Sequence, residues 1–172
     1  MKNIYLCGFM GCGKTTIGRI IARNNKMSYI DLDSYIEKKV GKTIPKIFEQ
    51  DGEKAFRELE TRYIAEISSE TSATVIACGG GAMLNPENAE IAKSAGEVVF
   101  LNLPFETCYK RIAGDRNRPI VMRNTKKQLH EIYDNRFSVY KKNCSIIINM
   151  NSDEAPLQIA RRVVMIIKVR SK

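Results

Sequence analysis

Nine residues near the N-terminus combine the chemical groups that bind phosphate. The stretch GFMGCGKTT, residues 8–16, follows the apolar run 4–7 and matches the pattern Gly-x-x-x-x-Gly-Lys-Thr in full. The glycines let backbone N–H groups converge on phosphate oxygens, and a helix that starts near Lys14 adds its positive N-terminal dipole. The pattern predicts a nucleotide-phosphate site formed by Gly11, Cys12, Gly13, Lys14, Thr15 and Thr16.

The side chains of this loop suggest how a nucleotide would be held. Lys14 would reach the β- and γ-phosphates, the Thr15 hydroxyl would ligate Mg²⁺, and Thr16 would line the nucleotide side. GTPases and ATP-driven motors share such loops. GTPases also need an NKxD-type segment that reads the base, which this sequence lacks, and motors usually need a longer chain. The phosphate loop alone does not separate these classes from kinases, so the remaining motifs must decide.

Two aspartates follow the second apolar run of the chain. Strand alternation would place Asp31 and Asp33 on the same side, at the carboxyl end of a strand, where ligands gather in parallel sheets. Asp33 would accept the proton of an attacking hydroxyl, and Asp31 would hold Mg²⁺ through water. The alternative is helix capping by Asp33 or Ser34, which does not exclude a role in the site.

Three consecutive glycines and two arginines suggest a site for the phosphoryl acceptor. Residues 79–81 follow the third apolar run, where they would allow close approach of a small ligand or form a flexible turn. The guanidinium groups of Arg57 and Arg136 are suited to bidentate binding of a carboxylate. The alternative for Arg57 is an ordinary surface ion pair with Glu53 or Glu60, which lie four and three residues away on a predicted helix.

Short apolar segments alternate with helical patterns, which predicts an α/β fold: a three-layer sandwich with a five-stranded parallel sheet, of the P-loop kinase type. The capping-box pattern of Ser34 and Glu37 and the position of Pro86 mark helix starts. Segment 114–125 has no predicted element and carries three arginines, so it is either a mobile lid or a plain surface loop. Strands are predicted at 4–7, 29–31, 74–78, 97–103 and 145–149, and helices at 14–24, 34–40, 45–50, 53–69, 86–95, 105–113, 126–141 and 153–169.

Composition limits the class of protein. The 172 residues suit one domain, 1–172, and the net charge of +9 suggests an anionic partner, or solubility alone. The five cysteines are odd in number and form no CxxC pair, which indicates neither a zinc site nor a redox motif and fits a reducing cytoplasm. No signal sequence or membrane-spanning run is visible, so we expect a cytoplasmic protein.

The motifs GFMGCGKTT, DLD, FRELE, CGGGA, RNRP and NRFSVY occur in an order and at intervals that resemble shikimate kinases over essentially the whole chain. The resemblance implies transfer of the γ-phosphoryl group of ATP to the 3-hydroxyl of shikimate, a step of aromatic amino acid biosynthesis. It also implies a shikimate-binding region at about 33–62 and a lid at about 112–125.

The resemblance assigns roles to particular residues. Arg57 and Arg136 would clamp the shikimate carboxylate, while Asp33 would contact the ring hydroxyls. Arg118 would be the lid arginine that reaches the phosphates, and Arg111 and the loop at 151–153 would lie near adenine. The catalytic residues would then be Lys14, Asp33 and Arg118, and the shikimate-binding residues would be Asp33, Arg57, Gly79, Gly80, Gly81 and Arg136.

The chain departs from the family pattern at two points, and other functions stay open. Cys12 replaces the more usual serine, and the lid reads RPIV instead of RPLL. The alternatives are a gluconate kinase, a nucleotide-binding module that binds nucleic acid through its positive charge, and a family member without activity. Basic residues are scattered along the chain, so we expect no nucleic-acid or membrane partner, and a monomer by analogy.

Overall fold

The computed structural model describes residues 2–115 and 119–171, and its strands form one parallel five-stranded sheet in the order β2-β3-β1-β4-β5. The sheet confirms the predicted α/β architecture, although several strand ends shift by one residue. The strands are β1 (Asn3–Cys7), β2 (Ser28–Asp31), β3 (Thr74–Ala77), β4 (Gly96–Asn102) and β5 (Ile146–Asn149).

Helices cover both faces of the sheet and enclose two buried clusters. Ile4 and Leu6 of β1 pack into one cluster, and Tyr5 and Cys7 pack into the other. Because both faces are buried, β1 is apolar along most of its length instead of alternating. The helices are α1 (Lys14–Asn25), α2 (Leu32–Val40), α3 (Ile44–Gln50), α4 (Gly52–Glu70), α5 (Pro86–Ala95), α6 (Phe105–Ile112), α7 (Pro119–Arg123), α8 (Lys126–Asn143) and α9 (Pro156–Arg170), with a short 3₁₀ helix at Ala82–Leu84.

Three sequence predictions about helices are wrong. α2 begins two residues early, because the Asp31 carboxylate accepts a hydrogen bond from the Ser34 N–H and thereby caps the helix, so Ser34 is not its N-cap. α9 begins at Pro156, which takes the first helical position because it has no N–H to lose there. Segment 114–125 was predicted to lack an element, yet it contains the short helix α7.

The strand order brings the predicted site segments together. β1 lies beside β3, which in turn lies beside β2, and Ala77 of β3 is in register with both Leu6 and Asp31. The phosphate loop, the glycine segment and Asp31 therefore leave three adjacent strands at the same edge of the sheet. In open α/β sheets this carboxyl edge is where ligands bind.

The helices of the described ranges 2–115 and 119–171 include none with the length and apolar character needed to cross a membrane. All five cysteines are free thiols, and four of them are buried. The fold is therefore held by packing and backbone pairing without disulfides.

The first glycine of the phosphate loop is fixed by both conformation and packing. Gly8 has φ of +140°, and a Cβ placed on it would lie 2.6 Å from the carbonyl oxygen of Leu101. Gly41 also has a positive φ, +71°, but a Cβ placed there would meet nothing within 4 Å. Gly8 therefore differs from Gly41 in two respects, a φ further from the range that alanine can adopt and a clash with the backbone of β4.

We expect Gly41→Ala to lower the free energy of unfolding by about 1–2 kcal/mol, the usual penalty for a left-handed conformation. Gly8→Ala should cost about 1–3 kcal/mol more, because its methyl group must push β4 away from the loop. Urea unfolding of both variants beside the parent protein measures the difference. Equal losses would show that the close approach to Leu101 does not constrain position 8.

Candidate active site

A cleft of about 580 Å³ opens at the carboxyl edge of the sheet. The phosphate loop forms one side, Asp31, Asp33 and residues 77–80 form another, and residues from the segment 150–159 approach from a third. Most of the predicted site residues line this cleft: Gly11, Cys12, Gly13, Lys14, Thr15, Thr16, Asp31, Asp33, Gly79, Gly80 and Arg111.

The phosphate loop presents cationic and N–H groups to the cleft. The Lys14 ammonium donates to the carbonyl oxygens of Gly8, at 2.8 Å, and Phe9, at 3.2 Å. The Arg111 guanidinium donates to the Gly11 carbonyl at 3.1 Å. Gly13 is the N-cap of α1 and offers no side-chain acceptor, so the first-turn N–H groups of α1 remain available to an anion.

Oxygen atoms cluster beside the loop at the end of β2. The Thr15 hydroxyl and the Tyr29 hydroxyl each donate to Asp31 Oδ2 at 3.4 Å. Such hard oxygen ligands suit Mg²⁺, which usually keeps several waters and shares its site with substrate phosphates. Residues 2–115 and 119–171 hold no group of three or more His, Cys, Asp or Glu side chains that could bind a metal ion by themselves.

The two aspartates reach the cleft for a different reason from the one predicted. Asp31 is the last residue of β2, whereas Asp33 already lies in the first turn of α2. Strand alternation therefore does not apply to the pair, although both line the cleft. Helix capping falls to Asp31, two positions before Asp33, the first of the predicted candidates.

The glycine segment is surrounded by charged side chains from three helices. A Cβ on Gly79 would lie 2.6 Å from Asp33 Oδ1, and one on Gly81 would lie 2.2 Å from Arg57 Nη1. From α8, Arg136 donates to the Gly80 carbonyl oxygen at 3.3 Å. Arg57, Arg136 and Gly81 do not line the cleft itself. Both arginines lie against the glycine segment, whose first two residues, Gly79 and Gly80, do line it.

Two residues of this cluster were not predicted to belong to it. The buried Tyr140 donates its hydroxyl proton to the Gly80 carbonyl oxygen, which Arg136 also contacts. The Glu60 side chain is only 1% exposed and accepts a 2.6 Å hydrogen bond from Arg57 Nη1, so the pair is not the surface pair considered from the sequence. The apolar face of α4, Phe56, Tyr63, Ile64 and Ile67, already placed position 60 inside.

The environment of Glu60 shifts its protonation. Burial raises the pKa of the Glu60 carboxyl to about 7, although the positive charge of Arg57 opposes the shift. Its second oxygen, Oε1, is buried near Gly79, without a hydrogen-bond partner in the described part of the chain. A carboxylate in such surroundings is held firmly, because any other position would bury its charge without Arg57.

The opposite end of the cleft differs in detail from the prediction for 151–153. Asn151 lines the cleft, and so do Glu154 and Pro156, which the sequence did not single out. The Arg162 guanidinium donates to the Asn149 carbonyl at 2.7 Å and to Glu154 at 3.0 Å, which fixes the course of this segment. The predicted lid arginine, Arg118, lies outside the described residues.

A five-stranded parallel sheet with a Gly-x-x-x-x-Gly-Lys-Thr loop at its carboxyl edge defines a P-loop kinase fold. The model of the shikimate kinase family matches residues 10–168. A shikimate kinase of Caldicellulosiruptor bescii is 45% identical over 150 residues, 87% of this chain and 86% of the relative, and one of Sulfurihydrogenibium sp. is 39% identical over 99% of this chain and all of the relative. The chain belongs to the shikimate kinase family, as its motifs suggested.

A solved structure extends the match to three dimensions. A shikimate kinase from Acinetobacter baumannii in complex with shikimate superposes with a TM-score of 0.91 at 37% identity. The alignment covers 99% of this chain and 94% of that chain. The resemblance of the folds therefore extends over essentially the whole chain.

The raised pKa of Glu60 predicts a specific pH dependence of stability. Between about pH 4.5 and 7 the folded protein holds a proton on Glu60 that the unfolded chain has lost, so this group's contribution to the free energy of unfolding falls as pH rises. The loss is at most about 1.4 kcal/mol per pH unit. We expect the parent protein to lose stability relative to Glu60→Gln from pH 5 to 7 and to level off above pH 8.

Urea unfolding of both proteins across this range measures the effect, because subtraction removes the contributions of the other titrating groups. In the variant Arg57 keeps its ion pair with Glu53, and the amide in place of the carboxyl adds an offset that does not depend on pH. The raised pKa of Glu60 would be contradicted if the difference in free energy of unfolding between parent and variant stayed constant with pH. It would also be contradicted if that difference changed in favour of the parent as pH rises.

Proposed function

We propose that the protein transfers the γ-phosphoryl group of ATP to the 3-hydroxyl of shikimate, giving shikimate 3-phosphate and ADP. One observation carries the proposal: Arg57 and Arg136 lie against the same three-glycine segment, which continues into the cleft that holds the phosphate loop. Family membership supports this choice of acceptor, because the relatives are named shikimate kinases.

The acceptor would bind through its carboxylate and its hydroxyls. Two guanidinium groups can hold one carboxylate through charge-assisted hydrogen bonds, which are about twice as strong as neutral ones. Asp33, next to Gly79, would accept hydrogen bonds from the ring hydroxyls and take the proton of the 3-hydroxyl as it attacks. The N–H groups and carbonyl oxygens of Gly79, Gly80 and Gly81 would line the ring.

Phosphoryl transfer needs positioning and neutralisation of charge more than covalent chemistry. In the proposed reaction, the oxygen of the acceptor forms a bond to the γ-phosphorus, the bond to the β-phosphate oxygen breaks, and ADP leaves. Lys14 would bind the β- and γ-phosphates, and Arg118 would reach them from the lid at about 112–125. Arg111 and the segment beyond β5 would lie near adenine.

The oxygen donors beside the loop fit a magnesium ion. Thr15 would ligate Mg²⁺ directly, and Asp31, whose Oδ2 lies 3.4 Å from the Thr15 hydroxyl, would hold it through a water molecule. The ion would neutralise charge on the phosphate oxygens when bound.

The proposal also includes what the sequence led us to expect about domain number, location, oligomeric state and partners. The protein would act as one domain and as a cytoplasmic monomer, with ATP and shikimate as its partners and without nucleic acid or membrane. Gluconate is the competing acceptor, because a sugar acid also offers a carboxylate and hydroxyls to the two arginines. The presence of Lys14, Thr15, Asp33 and Arg118 argues against an inactive relative.

We expect ADP release in a coupled assay with ATP and Mg²⁺ to depend on shikimate and to stay near the background rate with gluconate or without an acceptor. Asp33→Asn is the matched control, because it keeps the size of the side chain but removes the proton acceptor, and it should lose turnover while keeping its fold. Equal ADP release with and without shikimate would contradict the assignment of shikimate as the acceptor, but it would not contradict the assignment of the nucleotide site.

A further inference from the structure

Arg57, one of the two proposed carboxylate-binding residues, is already bound by two carboxylates of its own helix. Its Nη1 donates to Glu60 Oε2 at 2.6 Å. Its Nε and Nη2 both donate to Glu53 Oε1, at 3.3 Å and 2.9 Å. Nε and Nη2 form the side edge of the guanidinium, where two parallel N–H groups can hold one carboxylate.

The two carboxylates differ in how firmly they are held. The Glu60 side chain is 1% exposed, so it cannot leave Arg57 without burying an unpaired charge. The Glu53 side chain is 65% exposed and can turn into water, where its charge is solvated. Exposed pairs of this i, i+4 kind contribute little to stability, so Glu53 can be displaced at small cost.

We propose that Glu53 is a competing carboxylate, which occupies the side edge of Arg57 in the ligand-free protein and must be displaced when the carboxylate of the acceptor binds. Glu60 stays in place and keeps the guanidinium directed at the glycine segment. The inference rests on the proposed function, because it requires an acceptor that carries a carboxylate.

The charges of the cluster support a competition. With both carboxylates ionised, Arg57, Glu53 and Glu60 sum to −1, which opposes an incoming anion. When Glu53 turns away, Arg57 and Glu60 balance each other, and Arg136, which contacts Gly80, balances Asp33, which lies beside Gly79. Displacement of Glu53 therefore raises the charge that the acceptor meets by one unit, from −1 to 0.

Glu53→Gln should tighten the binding of shikimate by roughly two- to fivefold, the range expected for removal of one exposed ion pair. The neutral amide retains the size of the side chain but holds Arg57 more weakly. Glu58→Gln is the matched control, because Glu58 is an exposed carboxylate on the same helix and its loss changes the net charge equally. Titration calorimetry of the parent and both variants with shikimate measures the affinities.

The gain of Glu53→Gln over Glu58→Gln should shrink as the salt concentration rises, because the competing charge is exposed and therefore screened. Equal affinities of the two variants would overturn the inference, and so would weaker binding by Glu53→Gln, which would make Glu53 a support for Arg57. If neither the parent nor either variant binds shikimate, the proposed function is wrong, and the inference about Glu53 is wrong as well. If the parent binds and only the order of affinities is wrong, the function stands and the inference fails.

Discussion

The constraint on which the site depends is the space beside the three glycines after β3. A methyl group on Gly81 would overlap the Arg57 guanidinium, at 2.2 Å from Nη1, and one on Gly79 would press on Asp33. Because these positions have no side chains, charged groups of α2 and α4 can lie against the backbone, while Arg136 of α8 and Tyr140 hold the Gly80 carbonyl. Gly79 and Gly81 are therefore required by the protein's own side chains.

The strand order places the glycine segment and its charged neighbours beside the phosphate loop. β3 lies between β1 and β2, so the glycine segment leaves the sheet between the phosphate loop and Asp31. A donor phosphate held by Lys14 and an acceptor held by the arginines would meet in one cleft. Burial disfavours the charged form of Glu60 and raises its pKa. The buried carboxyl nevertheless holds Arg57 in a geometry that an exposed partner could not maintain.

The sequence predicted the sheet and most of the cleft, because the phosphate loop and the apolar strands are local signals. Three features were not predicted, and only the last of them depends on long-range packing. Capping by Asp31 moved the start of α2 and removed the alternation argument for Asp33. From the sequence, Glu60 was considered only as a partner of Arg57 in a surface ion pair, whereas its place on the apolar face of α4 buries it. Tyr140 could not be assigned without knowing that α8 packs beside Gly80.

The most direct test is the affinity of Gly81→Ala for shikimate, measured by titration calorimetry beside its affinity for ATP. Gly81 has a φ of −105°, which alanine can adopt, so the substitution tests its contact with Arg57. If the glycine segment seats Arg57, Gly81→Ala should displace the flexible guanidinium and weaken binding by about tenfold or more, with ATP affinity retained. Unchanged shikimate affinity in a folded Gly81→Ala would contradict the account.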